Sequence, residues 1–390
     1  MTSQGRHNPL LRRSVAFAAL VAAIAIAVAG CGSSSGSSSS TNSSAAANSS
    51  AGSGADVKGA QAAAVKAATL PTSLNLPPVT KPIPTGKTVT YVHCGVEVCS
   101  TIVKAIENGA GVLGWKTKVV PSAGTPPSVK SAWDNVVRIK PAAAFGSGFD
   151  STLYASALKQ LNADKVPVMS WATLDKTGNG IALAKGGPAE VGVIGDQQAA
   201  WAVSSANGKA NTVYVDLPTY TILKPIGTEF EKAYKQYCPK CPFDTMAVPL
   251  TALGKDAPAR VVSYLRSHPD VNRVALSYDG IGVGLPAALK AAGLDKKVQF
   301  IGEAPTATNL AYIKSGQQAA TVSQGYYEIW AAFLDAAARA STGQSLAPDQ
   351  AWKPPWFLVT KDNINKVGTN FGPIVPNLNE QLKKIWLKES

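Results

Sequence analysis

The chain has 390 residues, of which 45% are hydrophobic and 16% charged, and its folded part, from about Lys87, is long enough for two domains of ordinary size. Its 37 Lys and Arg against 24 Asp and Glu give a formal charge of +13. These basic residues are scattered, with no basic run interleaved with aromatics, so nucleic acid is excluded as a partner and a solvated basic surface is expected. In chain order the first element is a leader. Arg12 and Arg13 precede an apolar run over 15–29, too short to span a bilayer comfortably, which ends in Val28, Ala29, Gly30 and Cys31. This order predicts a lipoprotein signal peptide over 1–30 and a diacylglycerol on Cys31, and therefore an exported chain anchored to the outer face of the cell membrane. The competing reading is a cysteine that merely follows a secretory signal. The arginine pair also fits twin-arginine export, although Leu11 precedes it. Removal of Arg6, Arg12 and Arg13 with the leader takes the +13 charge down by three, to +10.

Residues 31–86 are expected to be a disordered tether. Up to about residue 55 the chain is nearly all Ser, Gly, Ala, Asn and Thr, which cannot bury enough apolar area to offset the entropy of ordering. Residues 58–69 have the composition of a short Ala-rich helix, and 70–86 carry five prolines, at 71, 77, 78, 82 and 84, which favour extended chain. From Lys87 onward, short apolar strands alternate with helical patterns, the mark of α/β lobes built on doubly wound parallel sheets. In the first lobe, strands are expected at 88–92, 116–120, 142–145 and 166–171, with helices at 100–113, 129–139 and 153–162. After a hinge-like stretch at 194–198 the pattern restarts, with helices at 199–207, 226–237, 257–268 and 285–292 between strands at 212–215, 245–248, 273–277 and 299–302.

Five cysteines less the lipidated Cys31 leave two close pairs, Cys94 with Cys99 and Cys238 with Cys241. An oxidising exterior favours two local disulfides. A four-thiolate zinc site is the alternative, but the first pair has four intervening residues where a zinc knuckle has two, and no metal is expected. Ligands of open parallel sheets bind beyond the carboxyl ends of the strands, which here offer 93–99, 146–149, 171–173, 216–224, 278–280, 303–306 and 324–327. Gly146 and Ser147, Trp171 and Tyr220 belong to this set. Trp171 reads equally as the last core residue of its strand, and His93 as a half-buried residue beside a disulfide.

The order of several short segments resembles the type I periplasmic binding proteins, in particular the ribose-binding-like solute receptors of ABC importers. The carriers are Gly109 and Ala110 with Leu113, Gly114 and Trp115, then Val166, Pro167 and Val168, then Ser277, Tyr278 and Asp279, then 300–303 and 320–324. The resemblance covers about 88–343 and implies two parallel-sheet lobes joined by a three-stranded hinge, near Gly195, near Gln324 and at 343–346. It implies a first lobe of 87–194 plus 325–343 and a second of 195–324 plus 344–390, the latter including a C-terminal extension over 378–387 that returns to the hinge and second lobe. Carried over by position, Tyr278 stands where sugar binders often have Asn, beside a retained Asp279 with a partly structural role. Glu303 stands for a ligand-contacting Asp or, as an alternative, caps a helix. Gln324 ends the last crossing strand, and Lys224 falls near the family's Arg. The Asp-Arg pair that sugar binders carry after the segment of Val166 is replaced by Ala172 and Thr173 next to Trp171, which points away from simple pentoses and hexoses.

The implied partners are a small polar or aromatic-faced ligand and an ABC permease, or in the alternative a membrane sensor kinase, with the chain a monomer. Catalysis is not expected, and neither is a cofactor. The glycines at 280, 282 and 284 follow a strand, but Leu285 stands where a dinucleotide fingerprint needs Gly or Ala, and there is no Gly-x-Ser-x-Gly elbow.

Overall fold

A computed structural model describes residues 54–387; the leader, Cys31 and most of the Ser-rich segment lie outside the described residues. The chain opens with α1 (Val57–Ala67), whose N-cap Asp56 accepts the Gly59 amide at 2.8 Å. It continues through β1 (Thr88–Val92), α2 (Val98–Val112), β2 (Lys116–Val120), α3 (Pro126–Ile139), β3 (Ala143–Ser147), α4 (Ala155–Ala163), β4 (Val168–Trp171) and β5 (Ile181–Lys185). These five strands form one sheet in the order β2-β1-β3-β4-β5, parallel throughout. Then follow α5 (Pro188–Ser205), β6 (Thr212–Asp216), α6 (Leu223–Tyr237), β7 (Phe243–Ala247), α7 (Ala257–Ser267), β8 (Arg273–Leu276), α8 (Leu285–Ala291), β9 (Gln299–Glu303), α9 (Ala307–Ser315) and β10 (Ala320–Gln324). The chain ends with α10 (Tyr326–Ser341), α11 (Ala347–Ala351), β11 (Trp356–Thr360), α12 (Ile364–Val367) and α13 (Leu378–Trp386).

The second sheet runs β11-β10-β9-β8-β6-β7 and is parallel except where β11 pairs antiparallel with β10. Helices cover both faces of each sheet, so inner strands such as β3 and β10 are buried along their whole length and read as continuous rather than alternating runs. Helix α10 packs on α2 of the first lobe, where Trp330 and Phe333 meet Tyr91 and Phe145. The result is two α/β lobes of the expected class.

The crossings between them differ from expectation. Gly195 is no linker: it lies inside α5, which begins at Pro188 just after β5, a strand the sequence reading missed. A Cβ at Gly195 would stand 2.3 Å from the Ile226 carbonyl oxygen, so glycine is there to let α5 lie directly against α6. The chain crosses at 186–187, at Gly325 as expected near Gln324, and at 352–355 rather than 343–346, since α11 still packs on β5 and α10. The C-terminal helix α13 returns to the first lobe, against α2 and α10, not to the second.

The expected tether is also corrected over 54–86. Helix α1 packs on α5, and the Asp56 amide donates to the Tyr237 carbonyl at 2.7 Å. Leu74, Leu76 and Val79 are buried, and the Val79 amide donates to Ile385 O at 2.8 Å. Proline removes amide donors but leaves carbonyls, and these are used: Trp115 Nε1 donates to Pro84 O at 2.7 Å and Arg339 Nη2 to Pro77 O at 2.5 Å. Trp352 Nε1 likewise donates to Leu74 O, at 2.8 Å. The segment is a strap that follows both lobes.

Candidate functional site

Between the two sheets, beyond the carboxyl ends of their strands, lies a chamber of about 90 Å³. From the first lobe it is walled by Cys94, Val96, Val98 and Ile102 after β1, by Ser147 and Gly148 at the end of β3, and by Trp171 and Ala172 at the end of β4. The second lobe supplies Tyr220, Ile222 and Leu223 after β6, Tyr278 after β8, and Glu303 and Ala304 at the end of β9. Gln324 ends β10, and Tyr326 opens α10. Six of the expected residues therefore converge: Ser147, Trp171, Tyr220, Tyr278, Glu303 and Gln324.

Three do not. Gly146 packs against Trp133 inside the first lobe. Lys224 is exposed in the first turn of α6, one residue beyond the lining Leu223. Asp279 is fully buried beneath the chamber, where its carboxylate accepts Gln318 Nε2 at 2.7 Å and Thr321 Oγ1 at 2.5 Å. A Cβ on Gly302 would lie 2.0 Å from Asp279 Oδ1, so this carboxylate occupies space that the glycine leaves open. The cap of α9 is Thr306, in a capping box with Asn309, so Glu303 is free of that role. His93 is half-buried next to the Cys94–Cys99 disulfide, its Nδ1 accepting the Gly95 amide at 3.1 Å, and burial lowers its pKa. Sequence reasoning missed the apolar side chains of the β1–α2 segment, Ile222, Leu223 and Tyr326. The strand ends at 93–99, 216–224 and 324–327 already pointed to most of their segments, but an apolar side chain there carries no mark of a ligand contact.

The walls are held firmly. Trp171 stacks on Trp356 of β11, ring centroids 5.5 Å apart, and is thus at once core residue and chamber wall. The Ser147 hydroxyl pairs with the buried Tyr91 hydroxyl at 2.8 Å. Ala172 and Ala304, which follow the strand-ending Trp171 and Glu303, both take left-handed φ angles, 53° and 49°. That conformation costs a non-glycine residue about 1 kcal/mol, and here it ends two strands at the chamber. The loop disulfides are formed as expected, Cys94–Cys99 in the first lobe and Cys238–Cys241 after α6.

Contacts across the mouth join the lobes. Tyr220 donates its hydroxyl to Cys94 O at 3.2 Å, Thr221 Oγ1 donates to Asp150 Oδ2 at 2.9 Å, and the rings of Phe149 and Tyr220 lie 5.3 Å apart. Inside, Glu303 is 4% exposed and has one side-chain partner, Gln324 Nε2 at 3.5 Å. Burial, reinforced by the nearby Asp279 charge and opposed by the Gln324 bond, pushes its pKa from 4.5 up to about 8. Asp279 is pushed up by burial to about 7. Gln324 Oε1 and the Tyr326 hydroxyl are buried without a hydrogen-bond partner.

Two lobes, several crossings and a chamber lined by side chains from both make a geometry suited to holding a small molecule between domains. The chain belongs to the periplasmic binding protein domain family, whose model matches residues 92–345. No curated protein matches it in sequence. Solved structures share its fold. A periplasmic solute-binding protein of an ABC transporter from Actinobacillus succinogenes 130z, with bound D-allose, is 17% identical with a TM-score of 0.62, covering 73% of this chain and 99% of that one. The solute-binding protein of a 5-methylthioribose transporter from Thermotoga lettingae, in complex with 5-methylthioribose, is 15% identical with a TM-score of 0.64, covering 77% and 99%. A Mycobacterium smegmatis protein in complex with β-D-fucofuranose is 16% identical with a TM-score of 0.60, covering 77% and 98%.

Proposed function

We propose that this chain is the extracytoplasmic solute-binding lipoprotein of an ABC importer, which captures one small organic molecule with a flat or apolar face and presents it to a permease. The observation that carries the reading is the chamber itself, to which the first lobe contributes Trp171 and Ser147 and the second Tyr278, Glu303 and Gln324. A ligand touching both walls bridges the lobes, and its binding energy stabilises the closed arrangement over an open one. The closed form is what a permease distinguishes. A wall built from Trp171, Tyr220, Tyr278 and Tyr326 favours a ring face or an aliphatic arm, and the solved neighbour that holds 5-methylthioribose pairs a sugar with such an arm. Among the described residues no helix is long and apolar enough to cross a membrane, which is consistent with anchoring through a lipid on Cys31.

The test is to purify the mature chain under native conditions, unfold it, and identify the released small molecules by mass spectrometry. A single compound at about one per chain, lost in Gln324→Ala, is expected. Equal retention of the compound by Gln324→Ala and Trp171→Ala would contradict the site. Cys31→Ala should release the chain from the membrane fraction.

A further inference from the structure

The chamber has an imbalance of charge and of hydrogen-bonding groups that defines its ligand more narrowly. Glu303 is its single carboxyl, and among the described residues no lysine, arginine or histidine lines it. A carboxylate buried without a cation is costly, by several kcal/mol. Paired buried carboxylates elsewhere in this chain do have one: Asp335 and Asp349 share Arg339, whose Nε lies 2.6 and 3.6 Å from their oxygens. Glu303 has only the long 3.5 Å bond from Gln324, with the Asp279 carboxyl adding negative charge behind it.

The neighbouring group is also an acceptor in want of a donor, since Gln324 Oε1 is buried and unpartnered. Two acceptors thus stand together at the ends of β9 and β10. Around them stand the rings of Trp171, Tyr220, Tyr278 and Tyr326, and an aromatic ring carries negative charge on its faces. Rings within about 6 Å of a cation attract it. An anionic ligand meets repulsion here. A polyol brings as many acceptors as donors, and the side-chain donors around the chamber are those of Ser147, the Trp171 indole, the tyrosines and Gln324 Nε2, none of them charged.

We propose that the ligand is a small organic amine, protonated at neutral pH, whose N–H groups bond Glu303 and Gln324 Oε1 while its apolar body lies on the aromatic wall. This assignment rests on the solute-binding reading above and narrows it. The ammonium supplies the missing counter-charge, so Glu303 binds it as a carboxylate.

The experiment is a calorimetric titration at pH 7.5 of the mature chain, freed of any retained compound by unfolding and refolding, with matched probes. These are 2-phenylethylamine and 3-methylbutylamine, their isosteric alcohols 2-phenylethanol and 3-methylbutan-1-ol, and D-allose. At least one amine is expected to bind ten-fold or more tightly than its alcohol, and Glu303→Gln to erase that difference. Gln324→Leu, which removes the second acceptor, should weaken the amine and not the alcohol. Circular dichroism checks that both variants keep their fold. Alcohols binding as well as amines, amine affinity that survives Glu303→Gln, or no response to either amine would each overturn the proposal. Binding of D-allose in its place would overturn the amine assignment and leave the two-lobed solute receptor standing. Failure of every probe, together with a natively purified chain that retains no small molecule, would count against both.

Discussion

Replacing Glu303 with glutamine should stabilise the ligand-free protein above neutral pH and flatten its pH dependence. The buried carboxyl keeps its proton up to about pH 8, whereas the same group in an unfolded chain releases it near 4.5. Between those values the folded state binds more protons, so stability falls as pH rises from 4.5 to 8 and levels off beyond. A displacement of that size, at about 1.4 kcal/mol per pH unit, is worth on the order of 5 kcal/mol. Glutamine has nearly the same shape and cannot ionise, so it removes this slope. Asp279, displaced from 3.8 to about 7, contributes a similar decline in both proteins, and the phenols of Tyr214, Tyr278 and Tyr326, all pushed up by burial, stay protonated throughout. Urea unfolding followed by circular dichroism at steps between pH 4.5 and 9 reads the difference directly. Stability curves for wild type and Glu303→Gln that run parallel over that range would refute the reasoning, because Glu303 would then be hydrated or paired in the empty chamber.

Leu74→Ala in the strap should cost about 2–4 kcal/mol in urea unfolding, as for a buried leucine in a core, whereas a free tether would show no loss. Exchanging both Cys94 and Cys99 for serine opens a short loop and should cost about 2 kcal/mol. The same change should shorten ligand residence more than global stability suggests, because Cys94 and Val96 wall the chamber. The pair Tyr220→Phe and Thr221→Val removes two hydrogen bonds across the mouth and should increase the radius of gyration of the empty protein in X-ray scattering. An unchanged radius would mean that other contacts hold the lobes closed.

The α/β alternation was legible because strands buried on both faces read as apolar runs, and the rule that ligands sit beyond strand ends led to Trp171, Tyr278, Glu303 and Gln324. Trp171, Glu303 and Gln324 end strands and Tyr278 follows one by two residues, so their direction is set by backbone that the sequence reveals. Lys224 lies outside the chamber lining because one step along α6 turns a side chain by about 100°, from the chamber lined by Leu223 to solvent. Asp279 lies outside the chamber lining for a long-range reason: Gln318, Thr321 and the space at Gly302 hold its carboxyl, and none of them is near it in sequence. Gly195 was read as a hinge because the strand–helix pattern restarts there and the family resemblance implies a linker, yet its missing side chain brings two helices together. In the strap, a proline-rich average concealed Leu74, Leu76 and Val79, whose burial depends on Ile385, Trp352 and Arg339 far along the chain.

The central claim is that one ligand bridges two lobes. Hydrogen–deuterium exchange of the wild-type chain, with and without the compound it retains on native purification, tests this most directly. Protection is expected together in the first lobe at 93–99 and 171–173 and in the second at 217–223, 278–282 and 303–306. Protection confined to one lobe, or to surface segments away from Trp171 and Gln324, would contradict the account.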